Sequence, residues 1–228
     1  MNEINYQKEL DKILSNHDNY GKKLVLHSCC APCSSYVLTY LSSFFRITVY
    51  YYNPNITAEP EYRHRVEEQK RLIEALNKKA VDDNVSMDKD IRLYPWSFTG
   101  GHFPIEVIDG DYDTALYYEK IKGLESEPEG GGRCAVCFSL RLNKTYEVAK
   151  ELRADFFGTT LTISPIKNAK VINEIGFKIA SKNDDYALMW MPSDFKKKEG
   201  YKHSIELSAQ YGLYRQNYCG CEFSRPIE

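Results

Sequence analysis

Short apolar runs rich in β-branched and aromatic residues alternate along the sequence with longer segments of helical periodicity. The runs predicted as strands are residues 23–27, 47–52, 91–94, 155–160 and 186–191. The segments predicted as helices are residues 6–17, 32–42, 60–79, 114–122, 133–152, 168–181 and 204–211. This alternation predicts a Rossmann-like α/β layered domain with a mostly parallel sheet and helices on both faces.

The composition is that of a globular protein, since 43% of the 228 residues are hydrophobic and 27% are charged. We expect one α/β domain over residues 1–228, with an irregular segment rich in Gly, Pro and acidic residues at about 96–132. No apolar run reaches the length of about 18 residues that a transmembrane helix needs, and residues 1–14 are too polar for a secretory signal. A cytoplasmic protein without membrane association is therefore predicted.

All seven cysteines fall into three tight groups. The groups are Cys29-Cys30 with Cys33 close by, Cys134-x-x-Cys137, and Cys219-Gly220-Cys221. An odd number of cysteines in a chain without an export signal argues against a complete set of structural disulfides. Because thiolates are ligands of iron–sulfur clusters and of zinc, the three groups together favour a metal or redox site.

The first two groups lie where a metal site is expected. Cys29 and Cys30 follow the first predicted strand, and ligands of parallel sheets bind at the carboxyl ends of strands. The spacing of Cys134 and Cys137 at a helix start puts both sulfurs on one side, where the positive helix end favours thiolate. Four thiolates also suit zinc, but the adjacent Cys29-Cys30 departs from zinc-ribbon spacing and favours a cluster. Cys33 is either a packing residue or a further ligand.

The third group, Cys219-Gly220-Cys221, has a different chemistry. A disulfide across one residue would close a small, strained ring, and a strained disulfide is more often catalytic than structural. Gly220 supplies the backbone freedom that such a closure needs. The alternative is that this pair completes the metal site.

Nucleic-acid binding would have to rely on local patches, because the formal net charge is only −2. Basic residues cluster at 196–198, at Lys167 and at Arg215, and Tyr214 and Tyr218 lie near the last of these. Unpaired bases stack on aromatic side chains, so a single-stranded RNA loop would suit such a surface. Each basic run taken alone is more typical of a solvated face.

Six strings spread over about residues 24–225 make the sequence similar to the QueH-type epoxyqueuosine reductases. They are LHSCCAPCSSY from Leu26, YYNPNI from Tyr51, EPEGGGRCAVCFSLRL from Glu127, TTLTISPIKN from Thr159, DFKKKEGY from Asp194 and YRQNYCGCEFS from Tyr214. The resemblance implies an oxidoreductase that removes the epoxide oxygen of epoxyqueuosine at the wobble position of tRNA and leaves the alkene of queuosine.

The resemblance also implies the cofactor and the roles of the cysteines. It makes Cys29, Cys30, Cys134 and Cys137 the ligands of a [4Fe-4S] cluster, and Cys219 and Cys221 a catalytic, redox-active pair. It further suggests an additional iron ion, with Cys33 as a candidate ligand. Losing an epoxide oxygen as water takes two electrons and two protons, so a dithiol beside a one-electron cluster would help, and an external low-potential electron donor is implied.

The proton donor is left open among His27, Asp194, Tyr214 and Tyr218, and His27 could equally be a buried, hydrogen-bonded residue. Two other functions fit parts of the sequence. An ATP-dependent tRNA sulfurtransferase also joins an α/β domain to cysteines, but it should carry an S-G-G-x-D-S loop where this chain has HSCC. A non-catalytic, zinc-stabilised RNA-binding module is the second, and metal analysis would distinguish it.

Overall fold

A five-stranded parallel sheet forms the centre of the computed structural model, which describes residues 4–85, 102–182 and 187–225. The strands are β1 (Lys23–His27), β2 (Arg46–Tyr51), β3 (Glu106–Asp109), β4 (Phe156–Thr159) and β5 (Met189–Trp190). They lie in the order β3-β2-β1-β4-β5, and every neighbouring pair is parallel. The predicted α/β fold with a mostly parallel sheet is confirmed.

Seven α-helices in the described ranges connect or flank these strands. They are α1 (Tyr6–Ser15), α2 (Ala31–Leu41), α3 (Glu59–Val85), α4 (Thr114–Ile121), α5 (Gly132–Glu151), α6 (Ala169–Ala180) and α7 (Gly200–Gln210). Local signals explain several starts: the side chains of Asn5, Asp113 and Asn168 cap α1, α4 and α6. Within the described part of the chain, no helix combines the length and apolar character needed to cross a membrane.

Helices cover both faces of the sheet, as predicted, because side chains alternate across each strand. Leu24 and Leu26 of β1 belong to an apolar cluster with residues of α1, α2, α3 and α7. Val25, between them, belongs to a second cluster with residues of α5 and α6. Because the central strands are buried on both faces, they form continuous apolar runs in the sequence.

The sequence prediction differs from the structure mainly at the sheet edges. The strand predicted at 91–94 lies outside the described residues. The segment expected to be irregular at about 96–132 contains β3, which has four residues that are exposed or half-buried and so lacks an apolar run. The strand predicted at 186–191 is described only as Met189–Trp190.

The strand order creates a crevice between β1 and β4. From β1 the chain leads to β2 and β3 on one side, and it then returns to β4 and β5 on the other. His27 at the end of β1 pairs in register with Thr159 at the end of β4. Ligands of open α/β sheets bind at the carboxyl end of such a switch point, and the first cysteine group follows His27 directly.

Candidate functional site

The first cysteine group forms a compact triad of sulfurs. The Sγ atoms of Cys29, Cys30 and Cys33 all lie within 4.8 Å of one another, which is close enough for one metal centre. Cys29 and Cys30 sit in the turn after β1, where the extended backbone of Cys30 precedes α2. Cys33 lies in the first turn of α2, which Pro32 helps to begin. The fold therefore places Cys33 among possible ligands.

The triad favours one thiolate and two thiols when no metal is bound. Hydrogen bonds from Cys30 and Cys33 hold the pKa of Cys29 well below its usual range, and the positive charges of Lys167 and Arg141 lower it further. The same hydrogen bond raises the pKa of Cys30 to about 11. Since metal ligation needs thiolates, binding a metal here would release the protons of Cys30 and Cys33.

His27 beneath the triad is a fully buried, neutral residue. Its Nδ1 lies 2.9 Å from Thr159 Oγ1, and its Nε2 accepts a hydrogen bond from Arg141 Nε at 3.1 Å. Burial, followed by the charge of Arg141, lowers the pKa of His27 to about 3. This lowered pKa favours a neutral imidazole near neutral pH, which can accept the hydrogen bond from Arg141.

The second and third cysteine groups meet in one cleft. Cys134 and Cys137 at the start of α5 line it together with Cys219 and Cys221 from the C-terminal segment. The cleft encloses about 420 Å³ of empty space, part of which is open solvent. Burial raises the pKa of both Cys134 and Cys137, so these two sulfurs also favour the thiol form without a metal.

The backbone of the third group is anchored from two elements. Asn55, in the loop after β2, donates through Nδ2 to the carbonyl of Cys219 at 3.3 Å. Arg65 on α3 donates to the same carbonyl through Nη1 at 3.3 Å, and its own charge is paired with Glu61 at 2.7 Å. The amide of Thr57 donates to the carbonyl of Gly220 at 3.2 Å. These contacts fix the backbone while leaving both sulfurs on the cleft.

Cys219 and Cys221 are not joined by a disulfide, and their pKa values are shifted in opposite directions. A hydrogen bond from Cys221 lowers the pKa of Cys219 well below its usual range, and Ser224 Oγ lies 2.9 Å from its sulfur. The same hydrogen bond raises the pKa of Cys221, whose sulfur lies 3.0 Å from Tyr117 Oη. These opposite shifts favour a thiolate at Cys219 beside a thiol at Cys221, which is the reactive form of a dithiol.

We expect Gly220→Ala to displace the third cysteine group. Gly220 has a φ of +99°, and an added Cβ would lie 2.7 Å from Ile56 Cγ1, a buried side chain. The backbone strain alone should lower the free energy of unfolding by about 1–3 kcal/mol. The displaced loop should also make Cys219 react faster with a thiol reagent.

Gly123→Ala is the matched control for this change. Its φ is +83°, but nothing lies within 4 Å of its added Cβ, so it carries the strain without the clash. Chemical unfolding and thiol labelling should find a smaller loss of stability and an unchanged labelling rate in this variant. An unchanged labelling rate in Gly220→Ala would contradict the proposed anchoring.

Two cations connect the triad to the cleft. Arg141 and Lys167 both line the cleft, and the charges of both act on Cys29. Arg141 Nη1 points at Cys137 Sγ from 3.8 Å. Cys134 and Cys137 are nevertheless not part of the group of sulfurs that all lie within 4.8 Å of one another. The fold thus groups the cysteines as a triad of three and a cleft of four.

Sequence reasoning missed Tyr117 and Arg141 and assigned Lys167 only to a basic patch. Arg141 lies one turn after Cys137 on the same helix face, so its spacing could have drawn attention to it. Tyr117 carries no such signal, because only packing brings α4 to the C-terminal segment.

The other proposed proton donors do not line the cleft. Asp194 pairs with Lys196 at 3.0 Å, and the hydroxyl of Tyr214 donates to Glu61 at 3.3 Å. The Tyr218 ring faces the guanidinium of Arg65 at 5.4 Å. Tyr117 and Lys167, by contrast, line the cleft and carry groups that can exchange a proton with a molecule bound there.

The donor set fits a thiolate-bound soft metal. Every candidate ligand is a sulfur, whereas Glu129, the carboxylate on the cleft wall, is exposed. Iron in clusters and zinc both accept such ligands, while magnesium and calcium prefer oxygen. The positive charges of Arg141 and Lys167 suit a centre whose thiolates carry excess negative charge.

A comparison with known proteins finds relatives that match most of this chain. The family model described as epoxyqueuosine reductase QueH matches residues 24–96 and 92–226. A reductase of that name from Staphylococcus epidermidis is 39% identical over 225 residues, covering 97% of this chain and 84% of the relative. Its namesake from Streptococcus pyogenes serotype M1 is 37% identical, covering 99% of this chain and 80% of the relative.

A more distant relative extends the match beyond these species. The epoxyqueuosine reductase QueH of Thermotoga maritima is 33% identical over 204 residues, covering 88% of this chain and 89% of the relative. The matches therefore include the strands, the crevice and all three cysteine groups. With its parallel α/β fold, its thiol-rich site and this similarity along most of its length, the chain belongs to the epoxyqueuosine reductase QueH family of oxidoreductases.

Proposed function

We propose that this protein removes the epoxide oxygen of epoxyqueuosine in tRNA to form queuosine, with a thiolate-bound iron–sulfur centre and a dithiol as its redox groups. The observation that carries the proposal is the meeting of Cys219 and Cys221 with Cys134 and Cys137 in one cleft. The family membership supports the substrate, since its relatives bear the name of this reductase.

Four sulfurs are proposed as ligands of a [4Fe-4S] cluster: Cys29, Cys30, Cys134 and Cys137. When bound, the cluster would supply single electrons at low potential. Cys33 is a fifth possible ligand and the candidate for an additional iron ion, since its sulfur lies within 4.8 Å of the first two. The burial of Cys29, Cys30 and Cys137 would limit the access of water to the centre from the protein side.

The dithiol accounts for the electron balance of the reaction. Both C–O bonds of the epoxide break, a carbon–carbon double bond forms, and the oxygen leaves as water with two electrons and two protons. Oxidation of Cys219 thiolate and Cys221 thiol to a disulfide releases two electrons and one proton. We assign the second proton to Lys167, which lines the cleft. An external low-potential donor would then reduce the disulfide.

The C-terminal segment is the proposed contact for tRNA. Tyr214 is 39% exposed, and the guanidinium of Arg225 lies 5.3 Å from the ring of Tyr218, directly before Cys219. Unpaired nucleotides stack on such aromatic and guanidinium planes, so an anticodon loop would be held with its modified base near the cleft.

The decisive experiment is anaerobic reconstitution followed by assay on tRNA that bears epoxyqueuosine. After addition of a low-potential reductant, mass analysis of the nucleosides should find a product lighter by one oxygen atom. The reconstituted protein should be brown and contain iron and sulfide. Zinc in place of iron, without visible absorption or turnover, would instead favour an RNA-binding module. Turnover that requires ATP and adds sulfur would favour a sulfurtransferase.

A further inference from the structure

Arg141 is a buried cation without a carboxylate partner in the described part of the chain. Its side chain lies on α5 and is 2% exposed. Arg65, equally buried, is paired with Glu61 at 2.7 Å. No such ion pair is found for Arg141 among the described residues, although burying an unpaired charge is costly. The charge of Arg141 therefore needs an explanation.

Neutral acceptors satisfy two sides of the guanidinium. Its Nε donates to His27 Nε2 at 3.1 Å, and its Nη2 donates to Asn53 Oδ1 at 2.5 Å. Asn53 in turn donates through Nδ2 to the carbonyl of Ser28 at 2.8 Å. These contacts satisfy hydrogen bonds, but they bring no negative charge.

The remaining side of the guanidinium faces sulfur. Nη1 points at Cys137 Sγ from 3.8 Å. Burial lowers the pKa of Arg141, but the interactions with Cys137 and Cys29 in their thiolate forms outweigh burial, and the pKa is raised overall. The groups that can carry a negative charge beside this cation are thus sulfurs of the proposed metal centre, one from each of the two cysteine groups.

The position of Arg141 also spans the two halves of the site. Arg141 lies one turn after Cys137 on α5. Its planar guanidinium contacts both His27 at the end of β1 and Asn53 in the loop after β2. A lysine could supply the charge, but it could not hold His27 and Asn53 at fixed angles. Arg141 therefore connects α5 to the segments after β1 and β2, and it also holds a fixed positive charge between them.

We propose that Arg141 is a positioning residue of the metal centre: it holds the cysteines of α5 against those after β1, and its positive charge, which no carboxylate of the described residues offsets, favours the reduced, more negative state. This inference rests on the proposed iron–sulfur centre. On this inference the Arg141 side chain determines the reduction potential of the centre as well as the stability of the site. Removing the charge should lower that potential, since the added electron loses a nearby cation.

The charge is tested by redox titration of reconstituted Arg141→Gln, monitored by electron paramagnetic resonance. We expect at least a tenfold loss in the equilibrium constant for reduction, which is 59 mV for a one-electron couple. The matched control is Lys144→Gln, because the Lys144 side chain on α5 is 42% exposed and paired with Glu147 at 2.8 Å. Solvent screens its charge, so its potential should equal that of the wild type.

The bridging role is tested with Arg141→Lys, which keeps the charge and loses the planar fork. We expect its potential to stay close to that of the wild type and its iron to pass to a chelator about 10–100-fold faster. A loaded Arg141→Gln with an unchanged potential would overturn the charge effect. If Arg141→Gln does not fold, Arg141→Lys decides: an unchanged rate of iron release overturns the proposal.

The wild-type protein separates this inference from the proposed function. If reconstituted wild-type protein holds no iron, the proposed function fails and the inference fails with it. If the wild type holds iron and reduces its substrate while both Arg141 variants match it in potential and iron release, only the inference fails.

Discussion

Cys134→Ala is expected to abolish assembly of the iron–sulfur centre. Cys134 lies in the first turn of α5, half-buried on the cleft wall, and is one of the four proposed cluster ligands. Removing one thiolate leaves an iron without its protein ligand. Iron and sulfide should fall to near zero after reconstitution, the visible absorption should disappear, and turnover should be lost.

The same substitution should leave the fold intact. The contact found for the Cys134 sulfur is a weak hydrogen bond from the amide of Gly130 at 3.2 Å, and alanine is favourable in a helix. The metal-free variant should therefore match the metal-free wild type in free energy of unfolding to within about 1 kcal/mol. Cys33→Ala is the informative companion variant, because Cys33 belongs to the triad but not to the proposed four ligands. A Cys134→Ala protein with wild-type iron, alongside an iron-free Cys33→Ala protein, would contradict the proposed ligand set.

Cys219→Ser is expected to keep the cluster and to lose turnover by a factor on the order of 10⁴, the scale seen when a reacting group of an enzyme is removed. The backbone of Cys219 is held by Asn55 and Arg65, and neither contact involves its sulfur. A serine hydroxyl could still meet Ser224 Oγ. The substitution therefore removes the proposed electron source with little change in the surroundings.

Thiol counting provides a second measurement for the dithiol. Mild oxidation of the wild type should remove two titratable thiols by joining Cys219 to Cys221, whereas Cys219→Ser should lose none at this position. Iron content and visible absorption should equal those of the wild type. Equal loss of iron in Cys219→Ser and Cys134→Ala would mean that the cysteines are wrongly divided between cluster and dithiol.

The central strands could be predicted from the sequence because both of their faces are buried. Val25, for example, packs under α5 and α6 while Leu24 and Leu26 pack on the opposite side, so β1 has no polar alternation. An edge strand buries less apolar surface, so its sequence needs fewer apolar residues. This is the reason that β3 was not predicted. Helix limits agreed to within a few residues where caps such as Asn168 mark them.

The candidate site was predictable in its residue types but not in its grouping. Spacing alone pairs Cys29 with Cys30 and Cys134 with Cys137, and it leaves Cys33 undecided. The turn into α2 brings the Cys33 sulfur to the first pair. The docking of the C-terminal segment on Asn55 and Arg65 then puts Cys219 and Cys221 beside the second pair.

By itself the sequence determined the α/β architecture and the sulfur chemistry of this protein, because periodicity and residue type are local properties of a chain. The tertiary structure alone decided which sulfurs meet, and that Arg141, Lys167 and Tyr117 meet them. The physical reason is that strand order and helix packing set the distances between segments more than a hundred residues apart, and no local pattern encodes those distances.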